Sequence, residues 1–332
     1  MNRIFFILCT FIFPLFAAAQ VLLPTAETAF EPQHNFNRAF IKSKGIKRIT
    51  FDIIDKKDFQ VAEDKSLSEV YEFDPEGRLI RHYYTNISRS IEREITTVGK
   101  KGRKHTRTIR EYRYDTVSTT SFYAGDRLVL KRYHDGLNYY ESRYFRYDSS
   151  GNLTREQRYR ETNNSPDRTL FMLGNQVLLS EDSFQYVRYG SRQLKSIALN
   201  SENRPYKQRI TNFDSTGLKT GISDQYTAAS WITQEQTFTY AEGRLATARF
   251  SGNSGSKVLL MNIYEYDANK ELYGEKCYKN DVLIKEVSYV SDTLNKLLNS
   301  FVIRDPVNRT MRIIKLRYDF GLIGKTEPGR RL

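Results

Sequence analysis

The stretch Phe145-Arg146-Tyr147-Asp148-Ser149-Ser150-Gly151-Asn152-Leu153 shows the unit from which the chain is built. Its two aromatic residues lie on one face of a strand, because side chains alternate across a sheet. Asp148 and Gly151 are the first and last residues of a tetrapeptide typical of a type I turn, and glycine takes the positive φ that closes such a hairpin. The unit is therefore predicted to be a strand end, a turn and a strand start, and nothing in it requires catalysis.

The unit recurs along the chain with small changes. The copies are Tyr71-Glu72-Phe73-Asp74-Pro75-Glu76-Gly77-Arg78-Leu79, Tyr264-Glu265-Tyr266-Asp267-Ala268-Asn269-Lys270-Glu271-Leu272, and the weaker Thr211-Asn212-Phe213-Asp214-Ser215-Thr216-Gly217. Tyr318-Asp319-Phe320-Gly321 is a shortened form. We predict structural roles in turns for the acidic and glycine residues of these copies, namely Asp74, Gly77, Asp148, Gly151, Asp214, Gly217 and Asp267.

Shorter corners of two residues alternate with these turns. Gly125-Asp126, Glu242-Gly243 and Asn280-Asp281 each follow an aromatic residue closely and precede a leucine, and such pairs suit tight hairpins. Corners spaced roughly ten residues apart predict about 14 to 18 strands in an up-and-down meander. The expected fold is all-β: one long antiparallel sheet of hairpin repeats, open and twisted or coiled. If the chain alternates in this way, the two kinds of turn are expected to segregate partly to opposite edges.

Three regions divide the chain. Residues 1–19 are predicted to be a signal peptide, residues 20–45 a leader with one short helix over 35–44, and residues 46–332 the repeat domain, with a candidate break near 160–168. Asn35 is the expected N-cap of the helix and Gly45 its terminating residue. The helix is expected to cover the first edge of the open sheet.

An apolar run from Ile4 to Phe16 follows Arg3 and ends at a small-residue site closing with Ala19. This pattern is typical of a cleaved secretion signal and predicts export to the periplasm, the outer-membrane surface or the medium. An uncleaved anchor is the alternative, although the run is short for a spanning helix. No transmembrane segment is expected in the mature chain. Cys277 would then be the sole cysteine, which excludes an internal disulfide and suggests a half-buried structural thiol.

The aromatic-x-aromatic-Asp-x-x-Gly-x-Leu copies resemble the YD repeats of RHS-type exported proteins over residues 70 to 321. Lys270 replaces the glycine of one copy, and Ala241 replaces the aspartate in another. Large members of that family wind many repeats into a shell around a toxin, and this chain has too few copies for a shell. The resemblance therefore implies a small, exported, RHS-like β-repeat protein.

Catalytic and metal-binding patterns are missing from the sequence. The histidines His34, His82, His105 and His134 are scattered, and no two have metal-ligand spacing. There is no nucleophile elbow, phosphate loop or dinucleotide fingerprint. The repeated aspartates could suggest a paired-carboxylate glycosidase or a calcium site, but each stands at the first position of a turn, where it bonds backbone. We expect no cofactor, no metal and no enzymatic activity.

The chain carries a net charge of +13. Its densest basic patch comprises Lys100, Lys101, Arg103, Lys104, Arg107 and Arg110. This patch is either a solvated hairpin tip or a surface that binds an anionic glycan or another envelope polymer, with aromatic residues stacking on sugars. Nucleic acid is not expected as a partner because the protein is predicted to be exported.

An outer-membrane barrel is a structural alternative, since a signal peptide and alternating aromatic residues fit one. Lipid-facing positions would then need long apolar bands, whereas Arg155-Glu156-Gln157-Arg158 places charge on both faces of a strand. The expected function is a structural or interaction role of an exported, non-enzymatic β-repeat protein in the cell envelope. The alternatives are a module that binds anionic glycan or another envelope protein, an outer-membrane barrel, and a glycan-active enzyme.

Overall fold

A computed structural model describes residues 20–31, 34–98, 104–136, 139–167, 170–253, 257–292 and 295–321. The single helix in this part of the chain, α1, spans Arg38–Lys44. Its N-cap is Asn37 rather than the predicted Asn35, because the Asn37 side chain accepts the N–H of Phe40 at 3.2 Å. Gly45 ends the helix in the left-handed conformation, with φ of 63°.

All other regular structure in the described ranges is β, so the prediction of an all-β chain with one short helix is confirmed. The strands are β1 Ile46–Lys57, β2 Glu63–Phe73, β3 Leu79–Val98, β4 Lys104–Ala124, β5 Arg127–His134, β6 Tyr139–Tyr147, β7 Leu153–Asn163, β8 Leu173–Arg188 and β9 Gln193–Leu199. They continue as β10 Pro205–Phe213, β11 Lys219–Tyr226, β12 Thr233–Ala241, β13 Arg244–Asn253, β14 Lys257–Tyr266, β15 Leu272–Lys279, β16 Val282–Ser291, β17 Leu298–Asp305 and β18 Thr310–Phe320.

The sheet closes on itself. Each strand pairs antiparallel with the next, and β1 pairs with both β2 and β18, so the 18 strands form a barrel without an edge. Thr50, for example, lies opposite Arg317 of β18 and Val70 of β2. The prediction of an open, twisted sheet is therefore wrong, and so is the small RHS-like repeat sheet that the resemblance implied. The sheet has no edge for α1 to cover, so the prediction that the helix covers the first edge is also wrong.

The N-terminal residues fill part of the barrel. Residues 20–45, here called the plug, fold back on themselves through a bridge between Leu22 and Phe36. Glu31 of the plug lines one cavity with residues of β3–β6 and a second cavity with residues of β14–β17. Those strands lie on well-separated arcs of the wall, so the plug is in the lumen.

Wall side chains alternate between the lumen and the outside. Ile49, Phe51 and Ile53 of β1 are buried, and with Tyr71 and Phe301 they form one core cluster with the plug. A second cluster joins the plug to β11–β15. The barrel therefore holds an apolar core on one side of its lumen, where a wide barrel would otherwise enclose water.

The outward positions carry charge. Asp52 pairs with Arg317 at 2.7 Å, and Lys276 pairs with Glu265 at 2.6 Å. These residues alternate with lumenal neighbours such as Phe51 and Cys277, so the ion pairs lie on the outer face. Ion pairs around the wall are typical of a surface in contact with water.

The two ends of the barrel differ. Connections that follow even-numbered strands lie at the end where Arg38 of α1 bonds the carbonyl of Glu76, which we call the helix end. Connections that follow odd-numbered strands lie at the other, the loop end. The four-residue turns at Asp74, Asp148, Asp214 and Asp267 all lie at the helix end, and so do the short corners at Gly125 and Gly243. The short corner at Asn280–Asp281 follows β15 and lies at the loop end, so the four-residue turns share one end and the short corners occur at both.

Candidate functional site

The lumen holds the candidate site. Two cavities flank Glu31: one of about 390 Å³ lies between the plug and β14–β17, and one of about 420 Å³ is lined by residues of β3–β6. Both have the size of small-molecule pockets. The first is called the inner cavity and the second the binding cavity.

Ionisable groups in the inner cavity satisfy one another. Glu275 accepts hydrogen bonds from Lys285 at 2.8 Å and from the Tyr289 hydroxyl at 3.1 Å. Burial alone would raise the pKa of Glu275, but the charge and hydrogen bond of Lys285, together with the hydrogen bonds from Cys277 and Tyr289, outweigh this effect and lower the pKa. Burial raises the pKa of the Cys277 thiol to about 12, so the thiol stays protonated at neutral pH. This cluster is a paired structural network, and it supplies no nucleophile.

The binding cavity has a different character. Tyr84 and Tyr133 are 37% and 41% exposed, although both project into the lumen. Lys131 lies beside them on β5 and forms no ion pair with any described residue. Accessible phenol rings beside an unpaired ammonium can bind a ligand that has a flat apolar face and an anionic group.

Other charged side chains around the binding cavity form ion pairs or hydrogen bonds with neighbouring residues. Glu141 accepts a hydrogen bond from Arg158 at 2.7 Å, and this bond lowers the pKa of Glu141. His82 bonds Glu69 at 2.7 Å, and Arg143 lies 3.7 Å from Glu156. Among the described residues that line this cavity, Lys131 is therefore the cation that has no carboxylate partner.

Possible metal ligands are dispersed among the described residues. Within the described ranges, no three side chains of histidine, cysteine, aspartate or glutamate gather in a geometry that could hold a metal ion. No helix in the same ranges is long and apolar enough to cross a bilayer.

The predicted basic patch is only partly described. Lys100, Lys101 and Arg103 lie outside the described residues, and so does the side chain of Arg107. Lys104 begins β4 and is exposed, and Arg110 donates to Glu92 at 2.6 Å. These two side chains lie on a hairpin arm and not at the lumen. The predicted signal peptide, residues 1–19, also lies outside the described residues.

The aspartates of the repeated unit serve the backbone. Asp148 Oδ1 accepts the N–H of Asn152 at 2.8 Å, and the Gly151 N–H donates to the Asp148 carbonyl at 3.1 Å. Asp74, Asp214 and Asp267 each accept the N–H four residues later. Gly77, Gly151 and Gly217 have positive φ, and Lys270 adopts the same conformation with φ of 66°.

Sequence reasoning missed the residues of the binding cavity. Lys131 and Tyr133 are two residues apart in a predicted strand, and this spacing places both side chains on one face of the sheet. The sequence did not show that this face points into a lumen, because closure of the barrel decides it.

No protein-family model matches the chain, and no curated protein matches it. Among solved structures, a porin-like protein from Bacteroides uniformis is similar at 10% identity and a TM-score of 0.38, over 83% of this chain and 97% of that one. A complex of TcdB2, TccC3 and Cdc42 is similar at 10% identity and a TM-score of 0.26, over 74% of this chain and 16% of that one. The Photorhabdus luminescens Tc holotoxin pore is similar at 9% identity and a TM-score of 0.11, over 77% and 21% of the two chains.

Proposed function

We propose that this chain is an exported, non-enzymatic binding protein of the cell envelope, whose plugged barrel holds a small anionic ligand in the binding cavity. The expected role of an open β-repeat scaffold is wrong, because the repeats close a barrel around the plug. The observation that carries the proposal is the set formed by Lys131, Tyr84 and Tyr133 in a lumenal cavity of about 420 Å³.

An acidic saccharide is the ligand class that fits this set. Its ring offers an apolar face to the phenol rings, and its carboxylate can pair with Lys131. Thr119 and His82 line the same cavity and supply hydrogen-bonding groups for hydroxyls. Glu31 of the plug would repel a second anionic group, so we expect monoanionic saccharides to bind better than polyanions.

Isothermal titration with glucuronate and galacturonate, each compared with its neutral parent sugar, tests the proposal. The uronates are expected to bind and the parent sugars to bind at least tenfold more weakly, since a charged hydrogen bond contributes about 1.5–3 kcal/mol. Lys131→Met is expected to remove this preference and keep the melting temperature. Lys315→Met, on the outer face of β18, is the matched control. Equal affinity for uronate and parent sugar would overturn the proposal.

Export is part of the proposal and depends on residues 1–19. Cleavage after Ala19 would leave Gln20 first, and the Gln20 side chain accepts the N–H of Leu272 in the lumen at 2.5 Å. A mature chain beginning at Gln20 would therefore keep the hydrogen bond between its first residue and Leu272. N-terminal sequencing of protein from the producing cell is expected to begin at Gln20.

The second candidate function is an outer-membrane barrel, which closure of the sheet favours. Such a barrel needs an outward apolar band about 25 Å tall. The outward ion pairs Asp52–Arg317 and Lys276–Glu265 stand where that band would be, and this weighs against the second candidate. Fractionation separates the two: protein that is released without detergent supports the binding protein, and protein that needs detergent supports the membrane barrel.

A further inference from the structure

We propose that the loop end of the barrel is a docking face for an anionic lipid bilayer. The proposal rests on side chains that the binding cavity does not use. It concerns a surface contact and does not require that any strand cross the membrane.

Large apolar side chains stand exposed on five connections of the loop end. They are Phe59 and Val61 between β1 and β2, Leu170 and Met172 between β7 and β8, Trp231 between β11 and β12, Val282 at the start of β16, and Val307 between β17 and β18. We call this set the apolar rim. Phe59 is 101% exposed and Val61 is 91% exposed. At the helix end, the exposed large apolar side chains of the described connections and strand ends are only 46% to 54% exposed, namely Val187, Tyr189, Tyr273, Val290 and Phe320.

Backbone conformation and hydrogen bonds fix the exposed position of Phe59. Phe59 has φ of 62°, a conformation that is uncommon for a bulky residue and points to a constraint. The Asp58 N–H donates to the Arg309 carbonyl at 3.0 Å, and the Gln60 N–H donates to the Lys57 carbonyl at 3.0 Å. The first of these bonds ties the tip between β1 and β2 to the tip between β17 and β18, so Phe59 and Val307 belong to one continuous part of the rim.

Cations accompany the apolar rim. Lys56, Lys57, Lys279 and Arg309 are exposed at the same tips, and Lys257 is exposed at the neighbouring start of β14. The carboxylates of Asp58 and Asp281 lie among them. The β3–β4 hairpin extends from the same end and adds exposed Lys104 and Ile95, the latter 45% exposed. Basic side chains beside apolar ones match a surface of anionic headgroups over acyl chains.

The distribution of these side chains favours a lipid surface over a protein. The apolar residues are spread over five separate tips around the rim, whereas a groove for one peptide would gather them on one side. Trp231 and Phe59 can enter the interface between headgroups and acyl chains, where aromatic rings are enriched. A broad, deformable surface can contact all the tips at once.

Trp231 makes the test direct, because it is the sole tryptophan of the sequence. The full mature chain is mixed with vesicles of phosphatidylcholine alone, and with vesicles of phosphatidylcholine and phosphatidylglycerol in equal parts. We expect co-sedimentation and a blue shift of Trp231 emission with the anionic vesicles, both reversed by high salt. Absence of both effects would overturn the proposal.

Variants assign the contact to residues. Phe59→Ser with Val61→Ser is expected to weaken binding at least tenfold, because two apolar side chains no longer enter the bilayer. Lys56→Glu with Lys57→Glu is expected to weaken it about tenfold at low salt. The matched controls Tyr189→Ser and Lys315→Glu lie at the helix end and on the outer wall, and they should bind like the parent protein. Equal loss in the controls would contradict the assignment.

Two other outcomes would also overturn the proposal. Sedimentation that shows a dimer abolished by Phe59→Ser would assign the rim to a second copy of this chain. Vesicle association that resists carbonate extraction would assign the barrel to the membrane interior. If the double variants fail to fold, the emission and salt dependence of the parent protein still decide the question.

Discussion

The phenolic hydroxyl of Tyr147 donates a hydrogen bond of 2.9 Å to the backbone carbonyl of Leu128 on the neighbouring strand. Tyr147 ends β6, and Leu128 lies near the start of β5 at the same, helix end of the barrel. The same bond recurs as Tyr123 to Leu79, Tyr240 to Lys219, Tyr266 to Leu245, and Tyr318 to Leu298. The tyrosine before one turn is thereby joined to the first residues after the preceding turn.

An arginine strengthens three of these joints. Arg127 precedes Leu128, and its guanidinium lies over the Tyr147 ring at 5.8 Å from the centroid. Arg78 lies over Tyr123 and Arg244 over Tyr266 in the same way. Arg127 also donates to the Asp148 carbonyl at 3.0 Å. The repeated unit therefore links successive hairpins around the helix end, in addition to forming its own turn.

Loss of one tyrosine hydroxyl should weaken the barrel measurably. Tyr147→Phe keeps the ring and removes the donor to Leu128, so we expect a loss of about 1 kcal/mol in the free energy of unfolding. Urea denaturation measures it. Tyr83→Phe is the control, because Tyr83 alternates with lumenal His82 and Tyr84 and faces outward, and its hydroxyl has no hydrogen-bond partner among the described residues. Equal stability of the two variants would contradict the role of the hydroxyl.

Substitutions at two turn glycines should differ in cost. Gly243→Ala meets nothing within 4 Å, so it should cost only the strain of φ at +77°, about 1–2 kcal/mol. A Cβ at Gly77, also at φ +77°, would clash with the Arg38 carbonyl oxygen of α1. Gly77→Ala should therefore cost more and loosen the plug. Chemical denaturation compares the two, and limited proteolysis near α1 should increase for Gly77→Ala alone.

A buried carboxylate on the outer wall should be costly to remove. Glu161 is fully buried and accepts hydrogen bonds from Ser142 at 2.5 Å and Tyr144 at 2.6 Å, with Arg132 at 3.0 Å. The Phe171 ring lies over the Arg132 guanidinium at 3.7 Å and helps to exclude water. Glu161→Ala leaves Arg132 unpaired and should cost about 3–5 kcal/mol.

The matched control for Glu161 is Glu181, whose partner Arg155 is 40% exposed. Glu181→Ala should cost about 1 kcal/mol or less, because Arg155 remains accessible to water when its partner is removed. Thermal unfolding of the two variants measures the difference. Similar losses would show that the buried network contributes no more than a surface pair.

The free energy of unfolding should decrease in two steps as the pH is lowered. Burial among Phe51, Tyr71 and Phe301 lowers the pKa of His34 below its ordinary 6.5, so the folded protein holds a neutral ring. Its contribution is complete above pH 6.5 and declines as the pH falls through the lowered pKa, since the unfolded chain binds the proton more readily. Burial would raise the pKa of Glu69, but hydrogen bonds from His82 and Tyr71 lower it below 4.5, which gives a second loss at lower pH.

His34→Phe isolates the upper step. The substitution should flatten the fall in unfolding free energy just below pH 6.5 and keep most of the lower step, because the hydrogen bonds from His82 and Tyr71 to Glu69 remain. Denaturation at a series of pH values measures both steps. An unchanged profile for His34→Phe would show that His34 does not cause the upper loss.

Local structure was largely predictable from the sequence. The Asp148 turn, its positive-φ glycine and the end of α1 at Gly45 follow from short-range backbone chemistry. The N-cap was misplaced by two residues, because Asn35 and Asn37 have equal propensity and tertiary contacts choose between them. Lys270 showed that the turn tolerates a residue other than glycine.

Closure was not predictable, because it depends on pairing between strands from the two ends of the chain. The alternation of Ile49, Phe51 and Ile53 showed a buried face but did not say that this face would enclose the plug. The binding cavity depends on the same closure, since Lys131 and Tyr133 would face open solvent on a flat sheet. Both errors have one cause: the sequence pattern is the same in an open and a closed sheet.

Oxidation of a cysteine pair across the closing seam tests the central claim most directly. Thr50→Cys with Arg317→Cys, in a Cys277→Ala background, places two thiols on facing residues of β1 and β18, within the spacing that a disulfide needs. The control pair at Thr50 and Val70 joins β1 to β2 and should cross-link whether the sheet is open or closed. A closed barrel predicts that both pairs form intramolecular disulfides under mild oxidation. A disulfide between residues 50 and 70, with none between residues 50 and 317, would contradict closure.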